Sequence, residues 1–173
     1  SWSSKEPLNL KPKFSTFFYL CFGLMLFGIG EGLLLVSYTG ASPWSVLAQG
    51  ISNYVDFSIG TITFFISLFV ISLWIFLSQK PGIGTILNAI IIAAMIDLCL
   101  TFVSTPQSIE HKILLAIFAV FTTGLGSGIY LIANLGPGPR DGLMTGLQKK
   151  KNFPIAFVRA FLEVTVVKIG WYL

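Results

Sequence analysis

Charged residues are scarce in this chain, and their scarcity excludes a soluble protein. Asp, Glu, Lys and Arg make up only 10% of the 173 residues, whereas 54% are hydrophobic. A soluble domain carries about 25% charged residues. No soluble fold of this length buries so much apolar surface, so the composition predicts an integral membrane protein whose first partners are membrane lipids.

Cysteine and histidine are scarce as well. The two cysteines, Cys21 and Cys99, both lie in apolar runs, and His111 is the single histidine. These residues show neither a disulfide framework nor a zinc spacing, and they are too few for a transition-metal site. The sequence also lacks a nucleophile–base pair and a phosphate-binding loop, and its Gly-x-Gly runs follow no predicted strand. We therefore expect no catalytic residues, no metal, no cofactor and no enzyme activity.

Long apolar runs dominate the chain, and five of them are long enough to cross a membrane. The first could be a signal peptide, but it is too long, contains Glu31 and lacks a clear cleavage site. A section around residues 42–54 is too short and too polar to span, and it predicts a short helix with Ser42 as N-cap and Pro43 in its first turn. The five predicted spans are Phe14–Ser37, 59–78, 83–103, 113–134 and 155–173.

The basic residues lie beside these runs, where they set the topology of a membrane protein. The formal net charge of +4 therefore does not predict a nucleic-acid partner. Residues 1–13 form a predicted cytoplasmic tail, and Lys80 and the connection 135–154 are also assigned to the inside. The connections 38–58 and 104–112 are assigned to the outside. These assignments predict a multi-pass protein of the cell inner membrane with a cytoplasmic N-terminus.

The chain contains an internal repeat. A shift of 96 residues places 28–77 on 124–173 without a gap. Glycine and proline positions coincide in the same order, which is why the match is informative despite the apolar composition. The coinciding positions in the first copy are Gly28, Gly30, Gly32, Gly40, Pro43 and Gly50.

Each unit of the repeat reads as a span, a short helix, a span and a span. Because three crossings are an odd number, the second copy is expected upside down relative to the first, as in many transporters. We therefore predict a single all-α membrane domain with an inverted-topology repeat, composed of repeat one (14–103) and an incomplete repeat two (112–173). The counterpart of 83–103 would begin near residue 179, so we expect an intact protein about thirty residues longer with a sixth span.

The starts of the two short helices are the first candidate site. Free N–H groups and the helix dipole make such ends attractive to anions and polar solutes. Arg140 and Asp141 add charged groups in the second copy, where the first copy has Trp44 and Ser45. The alternative is a simple turn and cap at the membrane surface, with Trp44 as an interfacial anchor and Arg140 obeying the positive-inside rule.

Carboxylates inside apolar runs are the second group of candidates, because they are costly in a membrane and need a partner or a cavity. Glu31 is flanked by glycines, which alternatively only permit close helix packing. For Asp97 a structural hydrogen bond is the preferred interpretation. Arg159 and Glu163 are spaced to pair on one helix face, either in a shared polar interior or at the surface. The candidate solute-site residues are Glu31, Ser42, Trp44, Ser45, Gly138, Arg140, Asp141, Arg159 and Glu163.

Three stretches carry a resemblance to a known family: "GASPWSVLAQGIS", "LGPGPRDGLMTGLQ" and "RAFLEVTVVKIGWYL". They resemble the bacterial YczE/YyaS/YitT family of membrane proteins, and the resemblance covers nearly the whole chain. It implies a multi-span inner-membrane protein and supplies no substrate. Members usually carry an acidic residue where this chain has Ser45, so the resemblance transfers no chemistry to the first motif.

The sequence favours two functions over a third, an intramembrane enzyme, for which it shows no catalytic constellation. The first is a permease or channel for an unknown small solute, with polar groups from both short helices lining a cavity. The alternative is a membrane scaffold or accessory subunit without transport activity, and a homo-oligomer is compatible with either. Geometry distinguishes them, because a permease needs the two short-helix starts, Glu31, Arg140 and Glu163 to face one cavity.

Overall fold

The computed structural model describes residues 2–173, and all regular structure in that range is helical. This confirms the predicted all-α fold. The seven α-helices are α1 (Phe14–Ser37), α2 (Pro43–Ser52), α3 (Ile59–Leu73), α4 (Ile83–Phe102), α5 (Ile109–Ala133), α6 (Pro139–Lys151) and α7 (Ile155–Tyr172), and a short 3-10 helix, Trp74–Leu77, extends α3.

Four segments of the described chain are long and apolar enough to cross a membrane. They are α1, α3 with its 3-10 extension, α4 and α5. The fifth predicted span forms α7, which has 18 residues and a length of about 27 Å. Arg159, Glu163 and Lys168 lie on α7, so it is less apolar than the other four. Its crossing of the membrane therefore stays a prediction.

The start of α5 differs from the prediction, which placed Glu110, His111 and Lys112 in a turn before residue 113. In the structure α5 begins at Ile109, and these residues form its first turn. The reason is a local cap: the Ser108 hydroxyl accepts a hydrogen bond from the backbone N–H of His111. An apolar run therefore marks the membrane segment of a helix, whereas a polar cap determines where the helix starts.

Helix α1 packs closely between α5 and α4 because glycines line its contact faces. A Cβ on Gly30 would lie 2.6 Å from the backbone nitrogen of Thr123 in α5, and a Cβ on Gly28 would lie 2.9 Å from Cα of Ile92 in α4. Gly23 meets Gly126, whereas Gly30 meets residues earlier in α5. Helices α1 and α5 are therefore antiparallel, as an inverted repeat requires, although the symmetry itself stays a prediction.

The helix limits follow the 96-residue offset of the sequence. Pro43 and Pro139 begin the short helices α2 and α6, and Ile59 and Ile155 begin α3 and α7. Left-handed residues at matching positions end the long helices, namely Tyr38 (φ 53°) after α1 and Asn134 (φ 52°) after α5. Matching residues at the helix limits therefore give the same order of long and short helices in both parts of the chain.

The loop before α6 is fixed to the N-terminal end of α4. The backbone N–H of Gly84 donates to the Leu135 carbonyl at 2.7 Å, and the Thr85 hydroxyl donates to the Pro137 carbonyl at 2.7 Å. Gly136 between them has φ 111°, a conformation that favours glycine, and a Cβ there would lie 2.9 Å from the Thr85 hydroxyl. These contacts determine where α6 begins.

Three segments assigned to the inside lie at this same end of the bundle. The Ser4 backbone N–H donates to the Ala133 carbonyl at 3.0 Å, which joins the N-terminal tail to the end of α5. The Lys150 ammonium donates to the Phe76 carbonyl at 2.8 Å, close to the turn that carries Lys80. The basic segments therefore cluster, which is what a common membrane side demands.

Asp97 in α4 caps the next helix in space, as the structural interpretation expected. One carboxylate oxygen accepts from the backbone N–H of Gly60 at 2.7 Å, and the other accepts from the Ser58 hydroxyl at 2.6 Å. Because Ser58 is the N-cap of α3, this carboxylate satisfies donors at a helix start that have no partner within the helix.

The two copies of the repeat provide a matched stability test. We predict that Gly28→Ala lowers the free energy of unfolding by about 1–3 kcal/mol, because its Cβ would overpack the contact with α4. Gly124→Ala is the matched control at the equivalent position in α5, where a Cβ meets no heavy atom within 4 Å. We expect this control to leave the stability unchanged or to raise it by about 0.5–1 kcal/mol through helix propensity.

The measurement is thermal unfolding of both variants in the same detergent. Equal destabilisation by the two substitutions would contradict the close α1–α4 packing.

Candidate solute-binding site

A cavity of about 430 Å³ lies inside the helical bundle, and this volume falls in the range of small-molecule sites. Residues from all seven helices or their caps contribute to its lining. Of the nine candidate residues, Ser45 does not line the cavity, but it contacts Glu31 directly. The other eight lie in its wall: Glu31, Ser42, Trp44, Gly138, Arg140, Asp141, Arg159 and Glu163.

Glu31 on α1 holds the start of α2. Its Oε2 accepts hydrogen bonds from the hydroxyls of Ser42 at 2.6 Å and Ser45 at 3.0 Å, and the two hydroxyls are 2.9 Å apart. Ser42 is the N-cap residue that the sequence predicts, but its side chain donates to Glu31 instead of capping its own helix. A buried carboxylate needs such charge-assisted bonds to offset its loss of hydration.

Helix α6 is held in a corresponding way from α5. The buried Tyr130 hydroxyl donates to Oδ2 of Asp141 at 2.7 Å. The Trp74 indole N–H donates to the Pro139 carbonyl at 3.1 Å, and its ring lies against Gly142, where only a glycine leaves room for it. Each short helix is therefore fixed at its N-terminal end by a side chain of the preceding long helix.

Arg140 and Trp44 connect the two short helices. The guanidinium carbon of Arg140 lies 5.2 Å from the centroid of the Trp44 ring, within the range of a cation–π contact. Burial lowers the pKa of the Arg140 guanidinium, and the carboxylates of Glu31 and Asp141 raise it. Trp44 is 7% exposed and lines the cavity, which gives its ring a packed environment within the bundle.

Arg159 and Glu163 form the pair that their spacing predicts. Nε of Arg159 donates to Oε1 of Glu163 at 2.9 Å, and the Arg159 side chain is 68% exposed. Such an exposed pair contributes little to stability, about 0–1 kcal/mol. Thr63 and Ser67, which occupy the matching positions of the first unit, line the same cavity.

Sequence reasoning missed several polar residues of the cavity wall because they lie inside apolar runs. The 96-residue offset could have found Ser127, which matches Glu31. Tyr130 and Asn88 give no local signal, since a single polar residue in a long apolar helix has no pattern of its own. The missed polar lining residues are Asn88, Thr123, Ser127 and Tyr130.

Repeat-related positions meet around the cavity. Trp44 and Arg140, which are 96 residues apart, contact each other in its wall. The lining also contains both members of the pairs Phe27/Thr123, Glu31/Ser127, Ser42/Gly138, Pro43/Pro139, Thr63/Arg159 and Ser67/Glu163. Positions that the 96-residue offset relates therefore lie together in the cavity wall. In the part of the chain that the structure describes, no three His, Cys, Asp or Glu side chains are grouped for a metal ion.

Comparisons with known proteins give a family but no activity. Residues 14–173 match a family of unknown function, DUF6198. An uncharacterized protein of Haemophilus influenzae is 36% identical over 161 residues, which cover 93% of this chain and 74% of that protein. The uncharacterized membrane protein YczE of Bacillus subtilis is 27% identical, over 90% of this chain and 73% of its own length.

A third relative, the uncharacterized protein YyaS of Bacillus subtilis, is 26% identical over 84% of this chain and 75% of its own length. The resemblance found in the sequence motifs is thereby confirmed. No solved structure matches this chain.

We predict that Tyr130→Phe lowers the free energy of unfolding by about 1.5–3 kcal/mol, because it removes a hydrogen bond to a charged group. The control is Tyr54→Phe, because the Tyr54 side chain is exposed and its hydroxyl makes no hydrogen bond among residues 2–173. Thermal or denaturant unfolding in detergent measures the difference. If both variants are equally stable, Tyr130 does not fix the start of α6.

Proposed function

This chain belongs to the DUF6198 family, and from the geometry of its own cavity we propose that it is a small-solute permease or channel. The carrying observation is that the starts of both short helices and the side chains of Glu31, Arg140 and Glu163 line one cavity. A scaffold has no need for such convergence. Because polar groups inside a membrane bundle are costly, their concentration around a shared space favours a polar solute there.

The short helices add a second line of support. Helix α2 has 10 residues and α6 has 13, so neither is long enough to span a bilayer. Both begin with proline, and both present their N-terminal residues to the cavity. Short or broken helices that point their ends at a central site are typical of transporters built from inverted repeats.

The distribution of basic residues supports an orientation. The N-terminal tail, the turn with Lys80 and the lysine-rich end of α6 gather at one end of the bundle. By the positive-inside rule this end is cytoplasmic. We therefore propose a protein of the cell inner membrane with its N-terminus in the cytoplasm.

The alternative function is a scaffold or accessory subunit, for which α5 offers a surface. Its outer face exposes Phe118, Phe121 and Leu125, and it is less buried than any other candidate span. Lipid chains or the helix of another protein would cover this face equally well. This function predicts that no solute crosses the membrane through the protein.

The test is osmotic swelling of proteoliposomes in a panel of small polar solutes. We expect at least one solute to enter faster than into protein-free liposomes. Arg140→Gln should reduce that rate at least about tenfold, equivalent to about 1.4 kcal/mol. Lys80→Gln, which removes an equal charge from an exposed turn, should not.

Glu163→Gln and Glu110→Gln form the second matched pair. Glu163 lines the cavity, whereas Glu110 is exposed in the first turn of α5. We expect only the Glu163 variant to change the rate. Swelling no faster than in protein-free liposomes across the whole panel would support the scaffold and reject the permease.

A further inference from the structure

No acceptor among residues 2–173 forms a hydrogen bond with the Arg140 guanidinium. It has five N–H donors, yet its side chain makes no hydrogen bond or ion pair with residues 2–173. Its one defined contact is with the Trp44 ring, and a cation–π contact supplies no acceptor atom. A charged group in a confined cavity is costly unless it is paired, so the Arg140 donors favour a ligand that brings an acceptor into the cavity.

Two carboxylates of the cavity, those of Glu31 and Asp141, each keep one oxygen that accepts no hydrogen bond among residues 2–173. Glu31 uses Oε2 for both serine hydroxyls, and Asp141 uses Oδ2 for Tyr130. The other oxygen of each carboxylate has no hydrogen-bond partner within the described range 2–173. Because Ser42, Ser45 and Tyr130 hold these groups in place, the free oxygens are preorganised to accept from a donor in the cavity.

The positive and negative groups do not neutralise one another directly. Neither Glu31 nor Asp141 forms an ion pair with Arg140 within 4.0 Å. Their charges still act on Arg140, since both carboxylates raise the pKa of its guanidinium against the effect of burial. Besides the Arg159–Glu163 ion pair, the cavity wall therefore holds a guanidinium and two carboxylates that form no ion pair among residues 2–173.

Ligands of three charge types would satisfy this arrangement differently. A simple anion would pair with Arg140 but would be repelled by both carboxylates. A simple cation would pair with the carboxylates but would leave the Arg140 donors without an acceptor. A zwitterion satisfies both groups, and the start of α6, which carries Arg140, favours its negative end there.

We infer that the cavity binds a small free zwitterion, with its carboxylate on Arg140 and its ammonium group on Glu31. The inference deepens the proposed function and rests on it only for the claim that this solute crosses the membrane. The volume of about 430 Å³ suits a compact solute. A phosphatidylethanolamine head group carries the same two charges, but its acyl chains would require an opening between the helices.

The test is equilibrium binding to the purified protein in maltoside micelles free of phosphatidylethanolamine, by calorimetry. The zwitterionic probes are glycine, β-alanine and 4-aminobutyrate, which differ in the separation of their charges. Propionate, propylammonium and propionamide are the anionic, cationic and neutral controls. We expect at least one zwitterion to bind at least about tenfold more tightly than every control, since each lost ionic contact costs about 1.4 kcal/mol or more.

The variants assign the two ends of the ligand. Arg140→Gln and Glu31→Gln should each weaken the binding of that zwitterion at least about tenfold. Lys80→Gln and Glu110→Gln, both at exposed positions, should leave it unchanged. If Glu31→Gln does not fold, Arg140→Gln decides the test, because the Arg140 side chain makes no hydrogen bond that the fold needs.

Three results would overturn the inference: binding of none of the zwitterions, binding of propionate or propylammonium as tightly as the best zwitterion, or unchanged affinity in Arg140→Gln. Thermal stabilisation only in nanodiscs that contain phosphatidylethanolamine, compared with phosphatidylcholine, would assign the site to a lipid head group and overturn it too.

Binding without flux would reject the permease alone. Flux of other solutes without zwitterion binding would reject this inference alone.

Discussion

The close contact between α1 and α5 is the constraint on which the rest of the structure depends. Glycines at Gly23, Gly30 and Gly126 let the two backbones approach to a distance that a Cβ would prevent. In a membrane, where lipid removes much of the hydrophobic drive for helix association, such close packing supplies the attraction. Glu31 near the end of α1 and Tyr130 near the end of α5 each contact the short helix that follows their own helix.

Hydrogen bonds from α1 and α5 fix the two short helices that line the cavity. Glu31 fixes α2 through Ser42 and Ser45, and Tyr130 fixes α6 through Asp141. These hydrogen bonds use only one oxygen of the Glu31 carboxylate and one oxygen of the Asp141 carboxylate. The same groups therefore hold the starts of the short helices and keep one carboxylate oxygen each without a hydrogen-bond partner among residues 2–173.

The two units share a plan but differ in what surrounds them. Gly28 and Gly32 of α1 are covered by α4, whereas no heavy atom of the described residues lies within 4 Å of a Cβ on the matching Gly124 or Gly128 of α5. The side chains at matching positions differ as well, because Arg140 occupies the position that corresponds to Trp44. These two matching positions of the repeat therefore carry different side chains, and only the second one carries a charged group.

The sequence by itself determined the membrane class, the helical fold, most helix limits and eight of the lining residues, because apolar length, prolines at helix starts and a fixed offset are local or periodic signals. It misplaced the start of α5, where one serine cap outweighs the limit of an apolar run. Tertiary structure alone decided that Glu31 binds the serines of α2, that Tyr130 binds Asp141 and that Arg140 lies over Trp44. These contacts depend on how closely and in which direction helices pack, and no local pattern encodes that distance.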